Sequence, residues 1–335
     1  MSKKYDVYGI GNALVDIVVE VEDQFFEDHA VEKGLMTLVD EDRQHQLVND
    51  MHIEEERMQC GGSAANSIIA TSQFGGNSYY ACRVSNDRFG QFYLKDLKSN
   101  GVDTNLTDAT APSGITGKCL VMTTPDAERT MNTFLGITAD FGVAELNLDQ
   151  LKDSTYLYIE GYLVTSPTAV EAMKLAKKTA QENGVKVALT FSDPSMVKYF
   201  ADQMKEIVGD GVDLLFCNEE EAMLFTGTDN LMDAREALKK SAARFAITLG
   251  SNGAMIFDGD TFIDIEPYKV DAIDTNGAGD MFSGAFLYGI THGHSYAEAG
   301  KIASLASSKV VSKFGPRLEW HQAKEILNHL FESES

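Results

Sequence analysis

The segment best suited to chemistry is DTNGAGD at positions 274–280, between the strand-like IEPYKVDAI and the helix-like MFSGAFLYGI. Gly277, Ala278 and Gly279 let a ligand approach the backbone, and the free amides of a first helical turn attract an anion. A carboxylate beside such an anion hole would repel phosphate unless it accepts a proton from an attacking hydroxyl. The residues alone therefore leave Asp280 two interpretations, a general base or a cap of the helix.

A second glycine pair, Gly61 and Gly62, also precedes a helix-like segment. Such a loop can offer backbone donors to a polar ligand, and Asn66 carries both a donor and an acceptor suited to hydroxyls. The structural alternative is a simple Gly-Gly turn followed by Ser63 as the N-cap of the helix. The pattern alone is compatible with either.

The first predicted strand is followed by GIGNALVD at positions 9–16. The third glycine of a dinucleotide-binding GxGxxG fingerprint would be Leu14, and Asp16 would lie close to the pyrophosphate, which disfavours that interpretation. We interpret Asn12 and Asp16 as hydroxyl-binding groups at the carboxyl end of strand one, where open α/β sheets bind ligands. The sequence also lacks GxxxxGK[ST], which excludes a P-loop mechanism.

Short β-rich runs alternate with longer amphipathic segments, an order that predicts a parallel sheet with right-handed crossovers. The predicted strands are 5–10, 78–84, 155–159, 186–191, 214–217 and 245–249, and the predicted helices are 64–74, 167–183, 219–226, 231–243 and 283–292. Residues 17–39 and 114–135 break the alternation, and the second region reads as a hairpin around a Pro-Asp turn. We expect these two regions to form a small β-lid on a single domain covering residues 1–335.

Composition limits the possible partners. The 335 residues are 44% hydrophobic and 24% charged, as in a globular protein, and 28 basic against 51 acidic residues give a net charge of −23. This charge disfavours nucleic acid as a partner but still allows a small anion to bind at a helix N-terminus.

Cysteines and apolar runs indicate the compartment. The four cysteines are scattered and form no CxxC pair, which predicts reduced thiols. The sequence has no long apolar run and no cleavable signal, which predicts a cytoplasmic protein without membrane contact.

GGSAAN at 61–66 and DTNGAGD at 274–280 together resemble the two signatures of the PfkB, or ribokinase-like, family of carbohydrate and nucleoside kinases. The resemblance extends from Tyr5 to Leu330. Within the family, GNALVD at 11–16 and EGYLVTSP at 160–167 are similar to segments of adenosine kinases. The resemblance implies an α/β fold, a three-layer sandwich with a central, mostly parallel sheet and a β-lid that closes over the phosphate acceptor.

The same resemblance implies roles for individual residues. Asp280 matches the family's general base, and the amides of Gly277, Ala278 and Gly279 match its anion hole. The residues that match acceptor-binding positions are Asn12, Asp16, Gly61, Gly62 and Asn66.

Further matches concern the nucleotide and the cations. Asn218 and Glu221 match an NxxE motif that helps to hold Mg²⁺ and phosphate through water, although an acid-rich helix start is the alternative for this segment. The residues that match the ATP-binding loop are Thr248, Gly250 and Gly253. Arg129 matches a lid arginine that reaches the transferred phosphoryl group, with a surface ion pair as the alternative. Asp274 lies near a K⁺ site of the family.

The implied activity is ATP- and Mg²⁺-dependent phosphorylation of a nucleoside's primary hydroxyl, expected to be the 5′-hydroxyl of adenosine, as in purine salvage. Leu14, Met36, Leu38 and Leu135 are available to bury a base. A ribose or fructose kinase, an inosine or guanosine kinase, and a catalytically silent ligand-binding protein are the alternatives; the intact Asp280 argues against the last. Both a monomer and a homodimer fit the sequence.

Overall fold

A computed structural model describes residues 3–51, 58–107, 109–126 and 128–331. Its strands are β1 (Tyr5–Ile10), β2 (Leu14–Glu20), β3 (Met36–Leu38), β4 (Met58–Gly61), β5 (Ser78–Ala81), β6 (Val102–Thr104), β7 (Thr116–Thr123), β8 (Arg129–Gly136), β9 (Ser154–Glu160), β10 (Lys186–Thr190), β11 (Leu214–Asn218), β12 (Phe245–Thr248), β13 (Ala254–Phe257) and β14 (Phe262–Ile265). Its α-helices are α1 (Asp23–His29), α2 (Glu41–Asp50), α3 (Ser63–Gln73), α4 (Arg88–Ser99), α5 (Leu148–Lys152), α6 (Pro167–Glu182), α7 (Pro194–Tyr199), α8 (Ala201–Val208), α9 (Glu219–Thr226), α10 (Leu231–Leu238), α11 (Ala278–Thr291), α12 (Tyr296–Val311) and α13 (Trp320–Phe331).

The larger sheet has nine strands in the order β14-β13-β12-β11-β10-β9-β1-β5-β6. Strands β12, β13 and β14 pair antiparallel at one edge, and the other neighbours pair parallel. One apolar core joins the sheet to α3, α4 and α11–α13, and a second core joins it to α5–α10. Helices cover both faces because the parallel strands are apolar on both sides, so the predicted three-layer α/β fold is confirmed.

The smaller sheet has the order β3-β8-β7-β2-β4. Its strands alternate between two faces, so Ile17 and Val19 of β2 pack on Phe26 of α1 and Leu47 of α2. Asp16 points the other way, and its register partner on β7 is Cys119. One face of this sheet is therefore packed under helices, and the other is available to a ligand.

Several sequence expectations differ from the structure at element boundaries. The segment IEPYKVDAI (265–273), which is strand-like in sequence, is not a strand beyond its first residue: β14 ends at Ile265, and Pro267 has no N–H to continue a ladder. Helix α11 begins at Ala278, five residues before the predicted start, and α10 ends at Leu238. The smaller sheet contains the two predicted lid regions, but it also recruits β4, and a helix, α1, interrupts the first region. The single-domain assignment stays a prediction.

Two further observations concern the whole chain. Cys60, Cys82, Cys119 and Cys217 are buried, and each is a thiol rather than half of a disulfide. Among the described residues, none of the helices combines the length and the apolar character needed to cross a bilayer.

Candidate active site

A cavity of about 520 Å³ lies where the two sheets meet. Residues at the carboxyl ends of the parallel strands line one side of it, among them Thr190 of β10, Asn218 of β11 and Thr248 of β12. The smaller sheet, β3-β8-β7-β2-β4, lines the other side and is called the lid below. The residues predicted to act that line this cavity are Asn12, Asp16, Gly62, Asn66, Asn218, Glu221, Thr248, Gly277, Ala278, Gly279 and Asp280. The topology thus brings distant segments to the edge of the sheet where α/β proteins bind ligands.

The loop before α11 requires its glycines. Gly277 is the N-cap, with a left-handed backbone of φ 71°, and a Cβ there would lie 2.3 Å from Cβ of Pro316. A Cβ on Gly279 would meet nothing within 4 Å, so the backbone at this point faces open space. The first amides of a helix have no intrahelical acceptor, and this open approach makes them accessible to an anion.

Asp280 is the third residue of α11, and its carboxylate hydrogen-bonds to α3 rather than to its own helix. Ser63 Oγ donates to Oδ1 at 2.6 Å, and Asn66 Nδ2 donates to Oδ2 at 3.0 Å. The two glycine clusters of the sequence therefore converge on one carboxylate. The capping alternative for Asp280 is wrong, because Gly277 is the N-cap; Ser63 is not an N-cap either, since Gly62 holds that position on α3.

The surroundings of Asp280 have opposing effects on the pKa of its carboxyl group. Burial raises the pKa of the Asp280 carboxyl, while hydrogen bonds from Ser63 and Asn66 and the charge of Arg317 lower it, and the net effect is a raised pKa. A carboxylate with a raised pKa is a stronger base once it is ionised, which is the property that proton acceptance requires.

The Gly61-Gly62 pair is explained by the two groups that pack against it. A Cβ on Gly61 would lie 1.9 Å from Asp16 Oδ1, and a Cβ on Gly62, where φ is +97°, would lie 2.2 Å from the carbonyl oxygen of Asn12. Asn12 follows β1 as predicted. Asp16 does not lie at the end of that strand; it belongs to β2 of the smaller sheet, because the chain crosses to the lid after Ala13.

Glu160, at the end of β9, is a site residue that the sequence reasoning did not select. Its fully buried carboxylate accepts from the amide and the side chain of Asn12 at 3.1 and 2.9 Å, and from the amide of Ala64 at 2.8 Å. Burial raises the pKa of Glu160 to about 7. Three donors hold this carboxylate in place, and it in turn connects the loop after β1 to the first turn of α3.

Asn218 and Glu221 form a capping box at the start of α9. Asn218 N donates to Glu221 Oε2 at 2.9 Å, and Glu221 N donates to Asn218 Oδ1 at 2.8 Å. Glu221 is buried and lines the cavity, whereas the neighbouring Glu219 and Glu220 are exposed and lie outside its lining. The structure therefore selects Glu221 as the acid of this run that faces a ligand.

The remaining predicted residues lie around the cavity rim or away from it. Gly250 and Gly253 bound the turn between β12 and β13, outside the lining, and Gly61 lies behind Asp16. Asp274 is buried and accepts the amides of Asn276 and Gly315 at 2.9 and 3.0 Å. Arg129 begins β8, and its side chain lies outside what the structure describes. Over the described ranges, no three His, Cys, Asp or Glu side chains are arranged to hold a metal directly.

Replacing Glu221 by glutamine is expected to flatten the pH dependence of stability. Burial raises the pKa of Glu221 from 4.5 to about 7, so the folded state retains a proton that the unfolded chain has released. The contribution is present in full below pH 4.5 and is lost as the pH rises through 7. Wild type should lose about 2 to 3 kcal/mol more unfolding free energy than Glu221→Gln between pH 5 and 8.

Urea unfolding at several pH values measures this difference. Glutamine keeps the capping-box geometry, and Glu219→Gln is the matched control because Glu219 is an exposed acid of the same helical turn. Parallel pH profiles for wild type and Glu221→Gln would show that Glu221 is already ionised in the folded protein at pH 5.

Comparison with known proteins identifies the family to which this fold and cavity belong. Residues 31–323 match the family described as pfkB family carbohydrate kinase. Such a match, on a fold that places a glycine-rich helix start and a carboxylate at one cavity, defines a kinase of sugars or nucleosides. The chain belongs to the pfkB family of carbohydrate kinases.

Individual relatives include both substrate classes. The chain is 32% identical to the adenosine kinase from Sinorhizobium meliloti, with a TM-score of 0.87 over 96% of this chain and 99% of that one. It is 31% identical to a probable sugar kinase from Rhizobium etli, with a TM-score of 0.89 over 98% and 100% of the two chains. Adenosine kinase 2 from Arabidopsis thaliana is 26% identical over 94% of this chain and 96% of its own length.

Proposed function

We propose that this kinase transfers the γ-phosphoryl group of ATP to the 5′-hydroxyl of adenosine and so forms AMP. The observation that carries the choice of acceptor is the apolar lid wall of the cavity. Leu14, Met36, Leu38, Met131 and Leu135 all line it, opposite the polar groups at the end of the parallel sheet. A flat base needs such a surface, whereas a free sugar needs polar partners there.

The phosphoryl end of the cavity supports the chemistry. Asp280 would accept the proton of the attacking hydroxyl, and the first turn of α11, which begins at Ala278, would receive the negative charge of the transferred group. Helix α11 runs 14 residues from this point, so its dipole favours an anion at the open backbone. The cavity lies between two sheets, an arrangement that would limit the access of water to ATP during transfer.

The acceptor end of the cavity supports a ribose. Asp16 on the lid and Asn12 after β1 both line the cavity and both are largely buried. Asp16 can accept from sugar hydroxyls, and Asn12 is held in place by Glu160, which accepts its side-chain amide. These two groups suffice for one ribose, and the other lining residues of the smaller sheet are mostly apolar, so the further hydroxyls of a hexose would find few partners on that side.

The residues present also fit the cofactors. Glu221 is a buried carboxylate that faces the cavity beside Asn218, and hard oxygen donors of this kind suit Mg²⁺ bound through water. Mg²⁺, when bound, would neutralise phosphate charge during transfer. Thr248, together with the turn bounded by Gly250 and Gly253, would hold ATP, Arg129 would reach the phosphoryl group from the lid, and a K⁺ ion would bind near Asp274.

A steady-state kinase assay with ATP, Mg²⁺ and a panel of adenosine, inosine, guanosine, ribose and fructose tests the proposed acceptor. The highest kcat/KM is expected with adenosine. A higher value with inosine or guanosine would replace adenine by another purine in the assignment of the acceptor. A higher value with ribose or fructose would overturn the nucleoside assignment but not the role of Asp280 in phosphoryl transfer. No turnover with any acceptor, with nucleosides still raising Tm, would favour the silent ligand-binding alternative.

Asp16→Ala is expected to raise the KM for the acceptor about ten- to a hundredfold and to leave the KM for ATP within a few-fold. Deleting a charged hydrogen-bond partner of a hydroxyl costs about 1.5 to 3 kcal/mol, which corresponds to that range of affinity. Two-substrate initial-rate kinetics give both constants. Equal changes in the two KM values would assign Asp16 a structural role under the Gly61 loop.

A further inference from the structure

A largely buried arginine from the C-terminal part of the chain, with 13% of its side chain exposed, reaches the carboxylate of Asp280 through the side chain of Asn66. Arg317 lies between α12 and α13, and its Nε donates to Asn66 Oδ1 at 3.2 Å. Its other nitrogens donate to Asp96 Oδ2 at 2.6 Å and to the carbonyl oxygen of Cys60. Each of the three guanidinium nitrogens therefore donates to an acceptor, and these hydrogen bonds fix the position of the group.

This contact determines which way the amide of Asn66 points. Because Oδ1 of Asn66 accepts from Arg317, its Nδ2 is directed at Asp280 and donates to Oδ2 at 3.0 Å. The reversed amide would place the NH₂ group against Nε–H of Arg317 and the oxygen against the carboxylate, so both contacts would be repulsive. The arginine thus selects the one orientation that helps Asp280.

We propose that Arg317 is a positioning residue for phosphoryl transfer, which fixes the Asn66 amide and favours the ionised form of Asp280. The proposal rests on the proposed function in one respect, the role of Asp280 as the proton acceptor. Arg317 itself does not line the cavity, so it acts through Asn66 and through its charge.

The charges around Asp280 give the direction of the effect. Burial raises the pKa of Asp280, and the positive charge of Arg317 lowers it. Glu160, Tyr158 and Tyr162 of the β9 end face the same region, and the charge of Asp280 acts on the pKa of each. A carboxylic acid and two phenols carry no positive charge, so they cannot replace the stabilisation that Arg317 gives to the ionised carboxylate of Asp280.

Two substitutions are therefore expected to move the acid limb of the kcat profile in opposite directions. Arg317→Gln removes the positive charge, so the limb should move to higher pH, with kcat at pH 6 reduced at least about tenfold and largely recovered at pH 9. Asp96→Asn keeps Arg317 but removes the negative charge paired with it, so the limb should move to lower pH. Arg317→Lys keeps the charge and should keep the limb near that of wild type.

The experiment is kcat against pH for these variants with ATP, Mg²⁺ and the best acceptor of the panel, with Tm measured for each. Arg83→Gln is the matched control, because Arg83 forms a similar part-buried pair with Glu145 outside the cavity. If Arg317→Gln does not fold, the downward shift in Asp96→Asn still tests the proposal. Limbs that coincide with wild type in the folded variants, or shifts of the same sign in Arg317→Gln and Asp96→Asn, would overturn it.

Asp280→Asn separates this outcome from failure of the proposed function. Near-normal turnover in Asp280→Asn would remove Asp280 as the proton acceptor and the proposed function's mechanism with it. An inactive Asp280→Asn together with an unshifted Arg317→Gln would show that only the positioning role is wrong.

Discussion

Asp280→Asn is expected to lower kcat roughly 10²- to 10⁴-fold, the span observed when a general base is lost, while the affinity for ATP stays within a few-fold. Asparagine keeps the size of the side chain and one acceptor oxygen but cannot take up the proton of the hydroxyl. The hydrogen bond from Ser63 Oγ to Oδ1, 2.6 Å in the wild type, can still form, so the fold around the carboxylate should persist.

Single-turnover kinetics and an ATP-binding isotherm measure the two quantities separately. Asp87→Asn is a suitable control, because Asp87 is a hydrogen-bonded aspartate at the N-cap of α4 that lies outside the cavity lining. A kcat for Asp280→Asn within a few-fold of wild type would show that another group accepts the proton.

The second large effect is the discrimination between acceptors. We expect kcat/KM for adenosine to exceed that for ribose or fructose by at least about a hundredfold. An apolar wall stabilises a bound base, whereas it offers no hydrogen-bond partners to sugar hydroxyls. The wall comes from three lid strands, with Leu14 on β2, Met36 and Leu38 on β3, and Leu135 on β8.

A pair of lid variants tests whether this wall is the cause. Leu38 lines the cavity and is 51% exposed, so Leu38→Asn should lower kcat/KM for adenosine about tenfold with little change in Tm or in ribose turnover. Leu35 is 49% exposed and lies outside the lining, so Leu35→Asn is the matched control. Equal effects of the two substitutions would show that the lid wall does not select the base.

Local sequence determined much of the scaffold and the loops of the site. Alternating strand and helix patterns predicted the parallel sheet because burial on both faces produces continuous apolar runs, as in β1 and β9. The glycines at 62 and 277 predicted loops that precede helices, and each is the N-cap of a helix with a positive φ. These features were readable because their causes lie within a few residues of each other.

Tertiary structure alone decided which groups meet. Ser63 and Asp280 are 217 positions apart, and Arg317 and Asn66 are 251 positions apart, so no local pattern indicates either contact. In the sequence, Glu160 looks like a polar strand end and Arg317 like a surface charge after a Gly-Pro turn. Each lies at the site because the fold brings it against partners from other elements, and a charge withdrawn from water is stable only with such partners.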